Sequence, residues 1–485
     1  MRLKVKTVHF SLYITFGIVL LLNLFLLLSH EPWRDEAQAW LIARDVTFPQ
    51  LITVLSQEGH PILWYAILAP FARLGFPYIT MGIISYVAIG TTLFFFILYS
   101  PFHTITKHIF AFSPAVIYFL PVIARSYCLC ALLVILIAVS YHDRFEHPLI
   151  YGVLISLLLQ THILMCGMAF ILWYIWLSEY VRNRREEKRI FSGKTAVVGL
   201  LLPVLSAIFL LIEFSRIFSA EALSESSMLG KPIYPAVGGG AAVVLAVLLF
   251  AVLISRKFAV TSLLKGCIIA FVSIAFQFVI YLVYHHMTSR WITLVYILVF
   301  FFWITYESKC MVPIPAEDRA KRMIFDCAID LALILCIVGY TFVSHGYSLA
   351  FSDVQKAYSD SKNTASYINV DMPGIDQLVC NCEESCNSLV PYLKDKTIFD
   401  PFTNDQLSFV NRDKNNVHEM SFSRFIEICK RENDGSEYVY CVFSRETWLK
   451  DVPKDLYDTV EVLYQTPYDS TISKEEYTIF KLELN

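Results

Sequence analysis

Long apolar runs separated by short charged loops fill the first 350 residues, after which apolar and polar positions mix over short distances. Residues 8–29 form the first run, and about 20 apolar residues in a helix match the hydrocarbon thickness of a bilayer. Arg2, Lys4 and Lys6 precede it, and no Ala-x-Ala-like cleavage site follows, so the run predicts a retained signal-anchor helix. Further runs predict spans near 78–99, 109–123, 126–141, 148–160, 163–180, 195–213, 236–255, 266–284, 291–306 and 324–343. Residues 62–76 are also apolar, but the stretch is short, contains Pro70 and nearly ends at Gly75. It predicts a juxtamembrane or re-entrant helix on the outer side.

Loop charge gives these spans a direction. With the basic N-terminal residues inside, Lys107 and Arg144 fall inside, as do the cluster Arg182, Arg184, Arg185, Lys188 and Arg189, the pair Arg256-Lys257, and Arg319, Lys321 and Arg322. Counting 62–76 as a span would turn the strongest basic cluster outward. The expected architecture is therefore a polytopic α-helical membrane protein with about 11 transmembrane helices, juxtamembrane helices in the first outer loop, an inside N-terminus and an outside C-terminal region. Residues 1–349 form the membrane domain and 350–485 an extracytoplasmic soluble domain. The mixed strand-like and helix-like patterns of that domain predict a small α/β or α+β layer structure.

Composition agrees with this class: 56% of residues are hydrophobic, 17% are charged, and mean hydropathy is +0.55. A net charge of −3 with no basic domain or tail argues against nucleic acid as a partner. No P-loop or dinucleotide fingerprint is present, and Gly238-Gly239-Gly240 reads as a site of close helix packing. Five cysteines, Cys380, Cys382, Cys386, Cys429 and Cys441, fall in the outer domain, where two disulfides and one free thiol are expected in preference to a metal cluster.

The chemistry-bearing residues gather on the outer face: Asp35, Glu36, Glu58, His60, Arg125, His162 and the group His285, His286 and Arg290. Asp35 and Glu36 follow the first span directly, where ionised carboxylates are costly without partners, water or a cation. Such a set suits group transfer from a lipid-linked phosphate donor. A carboxylate orients or deprotonates an acceptor hydroxyl, while Arg and His stabilise a departing phosphate. Each residue also has a plainer reading. Asp35 and Glu36 suit the first turn of an interfacial helix, His60-Pro61 suits a helix start, Arg125 suits a snorkelling span end, and His162 suits a hydrogen-bonded helix end.

Arg34-Asp35-Glu36-Ala37-Gln38-Ala39-Trp40, Glu58-Gly59-His60-Pro61-Ile62-Leu63-Trp64-Tyr65, Ala124-Arg125-Ser126-Tyr127, Thr161-His162 and His285-His286 together span most of the first 310 residues. In these pieces the chain resembles the GT-C superfamily of glycosyltransferases, especially the family 39 and RgtA/B/C/D-like branch, which includes protein O-mannosyltransferases and lipid A aminoarabinose transferases. The sequence departs from that pattern at Ile62, Trp64 and Met287, where the family has Pro, Tyr and Gly. The resemblance implies an enzyme of the cytoplasmic (inner) cell membrane that moves a monosaccharide from a polyprenyl-phosphate donor to a lipid, polysaccharide or protein acceptor, with inversion, at the extracytoplasmic face. It implies catalytic roles for Asp35 and Glu36. Substrate-binding roles fall to Arg34, Glu58, His60, Tyr65, Arg125, Tyr127, His162, His285, His286 and Arg290. A divalent cation stays open as a cofactor, and metal-independent transfer is the expectation. Membrane lipids are further partners. A lipid or glycan transporter or flippase is the alternative, and a noncatalytic scaffold would leave the Asp35-centred set unexplained.

Overall fold

The computed structural model describes residues 8–58, 60–186, 193–214, 262–283, 292–310, 319–380, 386–410, 421–432, 437–444 and 460–484. The chain divides into two compact units. One comprises Met1–Leu24, Glu58–Trp64 and Ile84–Tyr347, and the other Phe25–Gln57, Tyr65–Ile83 and Ser348–Asn485.

Helices dominate the first part of the chain: α1 (Phe10–Ser29), α2 (Arg34–Asp45), α3 (Phe48–Glu58), α4 (Leu63–Arg73), α5 (Thr80–Tyr99) and α6 (Thr104–Ala111). They are followed by α7 (Tyr127–Ser140), α8 (Pro148–Leu159), α9 (Cys166–Arg185), α10 (Gly193–Glu213), α11 (Ser262–Val283), α12 (Ile292–Cys310) and α13 (Arg319–Ser344). Among the described residues, five helices are long and apolar enough to cross a membrane: Phe10–Ser29, Thr80–Tyr99, Ile163–Arg185, Gly193–Glu213 and Met323–Ser344. Tyr127–Ser140, Pro148–Leu159, Leu264–Ile280 and Ile292–Tyr306 are apolar but shorter. The segment 236–255 and the glycines 238–240 lie outside the described residues.

The segment expected to span over 109–123 is not one helix. It breaks after α6 into a single π-helical turn (Ala115–Phe119) followed by irregular turns. Pro114 and Pro121 account for the break, because a proline interrupts the backbone ladder and clashes with the preceding turn. Ala115, Val116, Ile117 and Tyr118 are buried, and Asn23 donates to the Val116 carbonyl at 3.1 Å. Irregular backbone is tolerated at such depth when protein surrounds it. Within residues 62–76 the helix α4 (Leu63–Arg73) covers 11 residues.

Within the first unit, α8 and α10 pack at glycine. A Cβ on Gly152 would collide with the Gly199 carbonyl, and one on Gly199 with the Pro148 carbonyl. Small residues permit this backbone approach, the usual means of tight helix contact in an apolar medium. Two carboxylates buried in this unit have charged or polar side-chain partners: Glu179 binds both Arg144 and Lys265, and Asp330 binds His103 and the Thr106 hydroxyl.

The second unit contains α2 with most of α3 and α4, then α14 (Gly346–Gln355), α15 (Ser361–Asp371) and a six-stranded sheet. The strands are β1 (Gln377–Cys380), β2 (Thr397–Asp400), β3 (Asp405–Gln406), β4 (Tyr438–Ser444), β5 (Val460–Gln465) and β6 (Tyr477–Glu483), in the order β3-β2-β1-β4-β6-β5. β2, β1 and β4 run parallel, and the remaining pairings are antiparallel. Alternation along the strands feeds two cores, as the period of two requires. Leu378, Ile398, Val442 and Ile479 join Ala365 and Ile368 of α15. Val379, Phe399, Cys441, Phe443 and Phe480 join Phe425 and Ile428 of α16 (Phe422–Glu432). The result is a three-layer α/β/α sandwich.

The cysteines of this sandwich correct the disulfide expectation. Cys429 and Cys441 are free thiols that face each other in the second core, and burial together with the Cys429 neighbour pushes the Cys441 thiol well up. The Cys386 thiol donates to the Val442 carbonyl. No disulfide joins Cys380, Cys386, Cys429 and Cys441, and Cys382 lies outside the described residues.

Candidate functional site

The acidic motif begins α2. Arg34, Asp35 and Glu36 occupy its first turn, where unpaired backbone N–H groups favour negative charge. Glu36 is fully buried, and its Oε2 accepts from the Trp33 N–H at 3.3 Å and contacts His30 Nε2 at 3.0 Å. Asp35, beside it, is half-buried. The Arg34 N–H donates to Glu475 Oε1 at 2.9 Å, so a carboxylate from the loop before β6 caps this helix. Glu31 does the same in return, accepting from the Lys362 N–H and the Ser361 hydroxyl at the start of α15.

The amide of Gln38, one turn on, is satisfied on both sides. Its oxygen accepts from the Val410 N–H at 2.8 Å and from Asn387 Nδ2 at 3.0 Å, while its nitrogen donates to the Val410 carbonyl at 2.8 Å. The far end of α2 is held by Arg73, which donates to the carbonyls of Ala43 and Val46 at 3.1 and 2.5 Å. Each end and one face of the acidic helix are thereby fixed by polar contacts inside the second unit.

Burial dominates the titration of the capping carboxylates. It raises Glu31 and Glu475 from the ordinary value of 4.5 to about 7, against the lowering effect of the backbone N–H groups they accept from. His30 goes the other way. Burial opposes its charge, but Glu36 and Asp353 outweigh that and push it up to about 10.

A second group assembles in the first unit from three separate motif pieces. Arg125 Nη2 lies 3.2 Å from His60 Nε2, the His60 and His162 rings meet edge-to-face at 5.1 Å, and Tyr127 stacks on His162 at 4.9 Å. Since Arg only donates, His60 accepts at Nε2 and carries its proton on Nδ1. His162 Nδ1 accepts from the Leu164 N–H at 3.2 Å, which puts its proton on Nε2. The turn carrying His60 is held by its backbone. Ile62 N–H donates to Glu213 Oε1 at 3.2 Å, and Leu63 N–H to the Gln160 carbonyl at 3.1 Å.

Gln160 is in turn bound to Ser206 of α10. A guanidinium and two imidazoles gathered in one place are groups whose chemistry suits an anionic oxygen cluster such as a phosphate. Among the described residues, no group of three or more His, Cys, Asp or Glu side chains is arranged to hold a metal ion.

No protein-family model and no curated protein matches the chain.

The sequence-predicted residues thus separate by unit. His60, Arg125, Tyr127 and His162 come together, and Glu58 ends α3 in the same unit, half-buried. Arg34, Asp35 and Glu36 share one helical turn of the second unit, in which Tyr65 of α4 is buried. His285, His286 and Arg290 lie outside the described residues. Sequence reasoning missed His30, Glu31, Glu213, Asp353 and Glu475. The signal available for the first two was their place in His30-Glu31-Pro32, directly before the acidic motif.

Proposed function

We propose that the chain is a membrane glycosyltransferase that moves a monosaccharide from a polyprenyl-phosphate donor to an acceptor hydroxyl at the extracytoplasmic face. The observation that carries this reading is the His60–Arg125–His162 group. Three sequence-distant pieces, in each of which the sequence resembles the GT-C pattern, bring an arginine and two histidines into one cluster. Asp35 enters the reading by its sequence resemblance, and within its own unit the two carboxylates of the acidic helix have different surroundings. Glu36 is committed to the helix cap and His30, whereas Asp35 is the more accessible.

In the proposed reaction the acceptor oxygen attacks the anomeric carbon as the bond from that carbon to the phosphate oxygen breaks. Asp35 takes the acceptor proton, and the polyprenyl phosphate leaves with the bonding electron pair. Arg125, with His60 and His162, stabilises the charge that develops on the phosphate. Direct displacement from one face inverts the anomeric centre.

Mass spectrometry of lipid-linked sugars and glycans from cells with and without the protein tests this. The reading predicts that loss of the protein accumulates one polyprenyl-phosphate sugar and removes one glycosylated product. Movement of a lipid or glycan across sealed vesicles with no new glycosidic bond would instead make the chain a transporter or flippase.

A further inference from the structure

Both ring nitrogens of His30 face carboxylates. Nδ1 lies 2.7 Å from Asp353 Oδ2 and Nε2 lies 3.0 Å from Glu36 Oε2, with all three side chains almost wholly buried. A neutral imidazole donates from one nitrogen only, and an ionised carboxylate only accepts. The two contacts are made together when the ring carries both protons. Tyr358 packs edge-on against the ring at 5.0 Å and against Trp33 at 5.9 Å.

The titratable and charged groups around this ring are Glu36, Asp35 and Arg34 on α2, Asp353 on α14, Tyr358, Glu31 and Glu475. Carboxylates outnumber the cations, so the site favours a positive ring. Asp353 stands 323 positions from His30, just before the sandwich, so the ring joins the acidic helix to the far end of the chain.

We propose that His30 is a positioning residue for the acidic motif. Clamped between Asp353 and Glu36, it fixes Glu36 as a structural anion and leaves Asp35 as the carboxylate that receives the acceptor proton. This inference rests on the reading of Asp35 given above. The clamp itself is a property of the fold and is measurable without the reaction.

The test uses the full chain in detergent as wild type, His30→Gln, Asp353→Asn and the double variant, with sugar transfer and thermal unfolding measured on each. Glutamine keeps a donor but cannot hold a positive charge between two carboxylates. For His30→Gln, kcat is expected to fall at least about tenfold with KM for the donor nearly unchanged, the pattern of a lost contribution to the chemical step. Its unfolding midpoint is expected to drop by about 5 °C.

The double variant is expected to be no worse than His30→Gln alone in either measurement, because both substitutions break one clamp. Wild-type transfer should also decline as pH rises towards 10, where the ring loses its second proton, and His30→Gln should lack that decline. Should His30→Gln fail to fold, Asp353→Asn, which leaves the His30–Glu36 contact in place, carries the same measurements. Unchanged kcat in a folded His30→Gln protein, or additive losses in the double variant, would overturn the proposal. If the wild type transfers no sugar, the functional reading fails, and coupled or additive unfolding midpoints still decide the clamp.

Discussion

At the scale of residues, Asp35 and Glu36 divide the roles that their adjacency leaves open. Glu36 accepts the Trp33 N–H and contacts His30 in full burial, the geometry of a helix cap. Asp35, half-buried beside it, carries the proposed chemistry. In the proposed phosphate-binding group, Arg125→Lys keeps the charge but loses the planar fork that reaches His60 and would pair with a phosphate. The expected outcome is a rise of about 10- to 100-fold in the KM for the lipid-linked donor, read by steady-state transfer at several donor concentrations. His60, Arg125 and His162 were legible in the sequence as polar residues beside apolar runs. His30 was not, because its meaning depends on Asp353, and no local pattern announces a partner 323 positions away.

At the scale of elements, the α8–α10 contact depends on two glycines that leave no room for a methyl group. Gly199→Ala should force the helices apart and cost about 1–3 kcal/mol, measured as a lowered unfolding midpoint in detergent. Gly193→Ala, at the start of the same helix with open space around its Cα, should change it little. The apolar runs marked most helices, because length and hydropathy alone carry that signal. The run over 109–123 misled, since hydropathy is blind to the backbone break that Pro114 and Pro121 impose. The strands of the sandwich were visible only as a mixed pattern. Their parallel centre, with β1 between β2 and β4, depends on long-range pairing that no local alternation encodes.

At the scale of the whole molecule, the acidic helix belongs to the same compact unit as the C-terminal sandwich, and each segment supplies a carboxylate that caps a helix of the other. A split into one domain after the other along the chain conceals this exchange. It also gives the unit a pH dependence with a defined sign. Glu31 and Glu475 have folded pKa values near 7, above the ordinary 4.5, so the folded state binds protons more tightly than the unfolded chain.

Their contribution to stability is fully present below about pH 4.5 and is lost as pH rises through 7. Unfolding midpoints should fall by a few degrees between those limits, and Glu475→Gln, which stays uncharged throughout, should flatten part of that slope. A midpoint that rises over the same interval in the wild type, with no effect of Glu475→Gln, would contradict the assignment.

The claim on which the rest depends is that Asp35 serves sugar transfer from a polyprenyl phosphate. Its most direct measurement places purified wild type and Asp35→Asn in proteoliposomes with polyprenyl-phosphate monosaccharides and an acceptor extract from cells lacking the protein, and follows product by mass spectrometry. Wild type should yield a new glycosidic product and free polyprenyl phosphate in equal amounts. Asp35→Asn, folded and inserted to the same extent, should yield neither. Equal product from both proteins would remove Asp35 from the mechanism, and no product from the wild type with any donor would contradict the account.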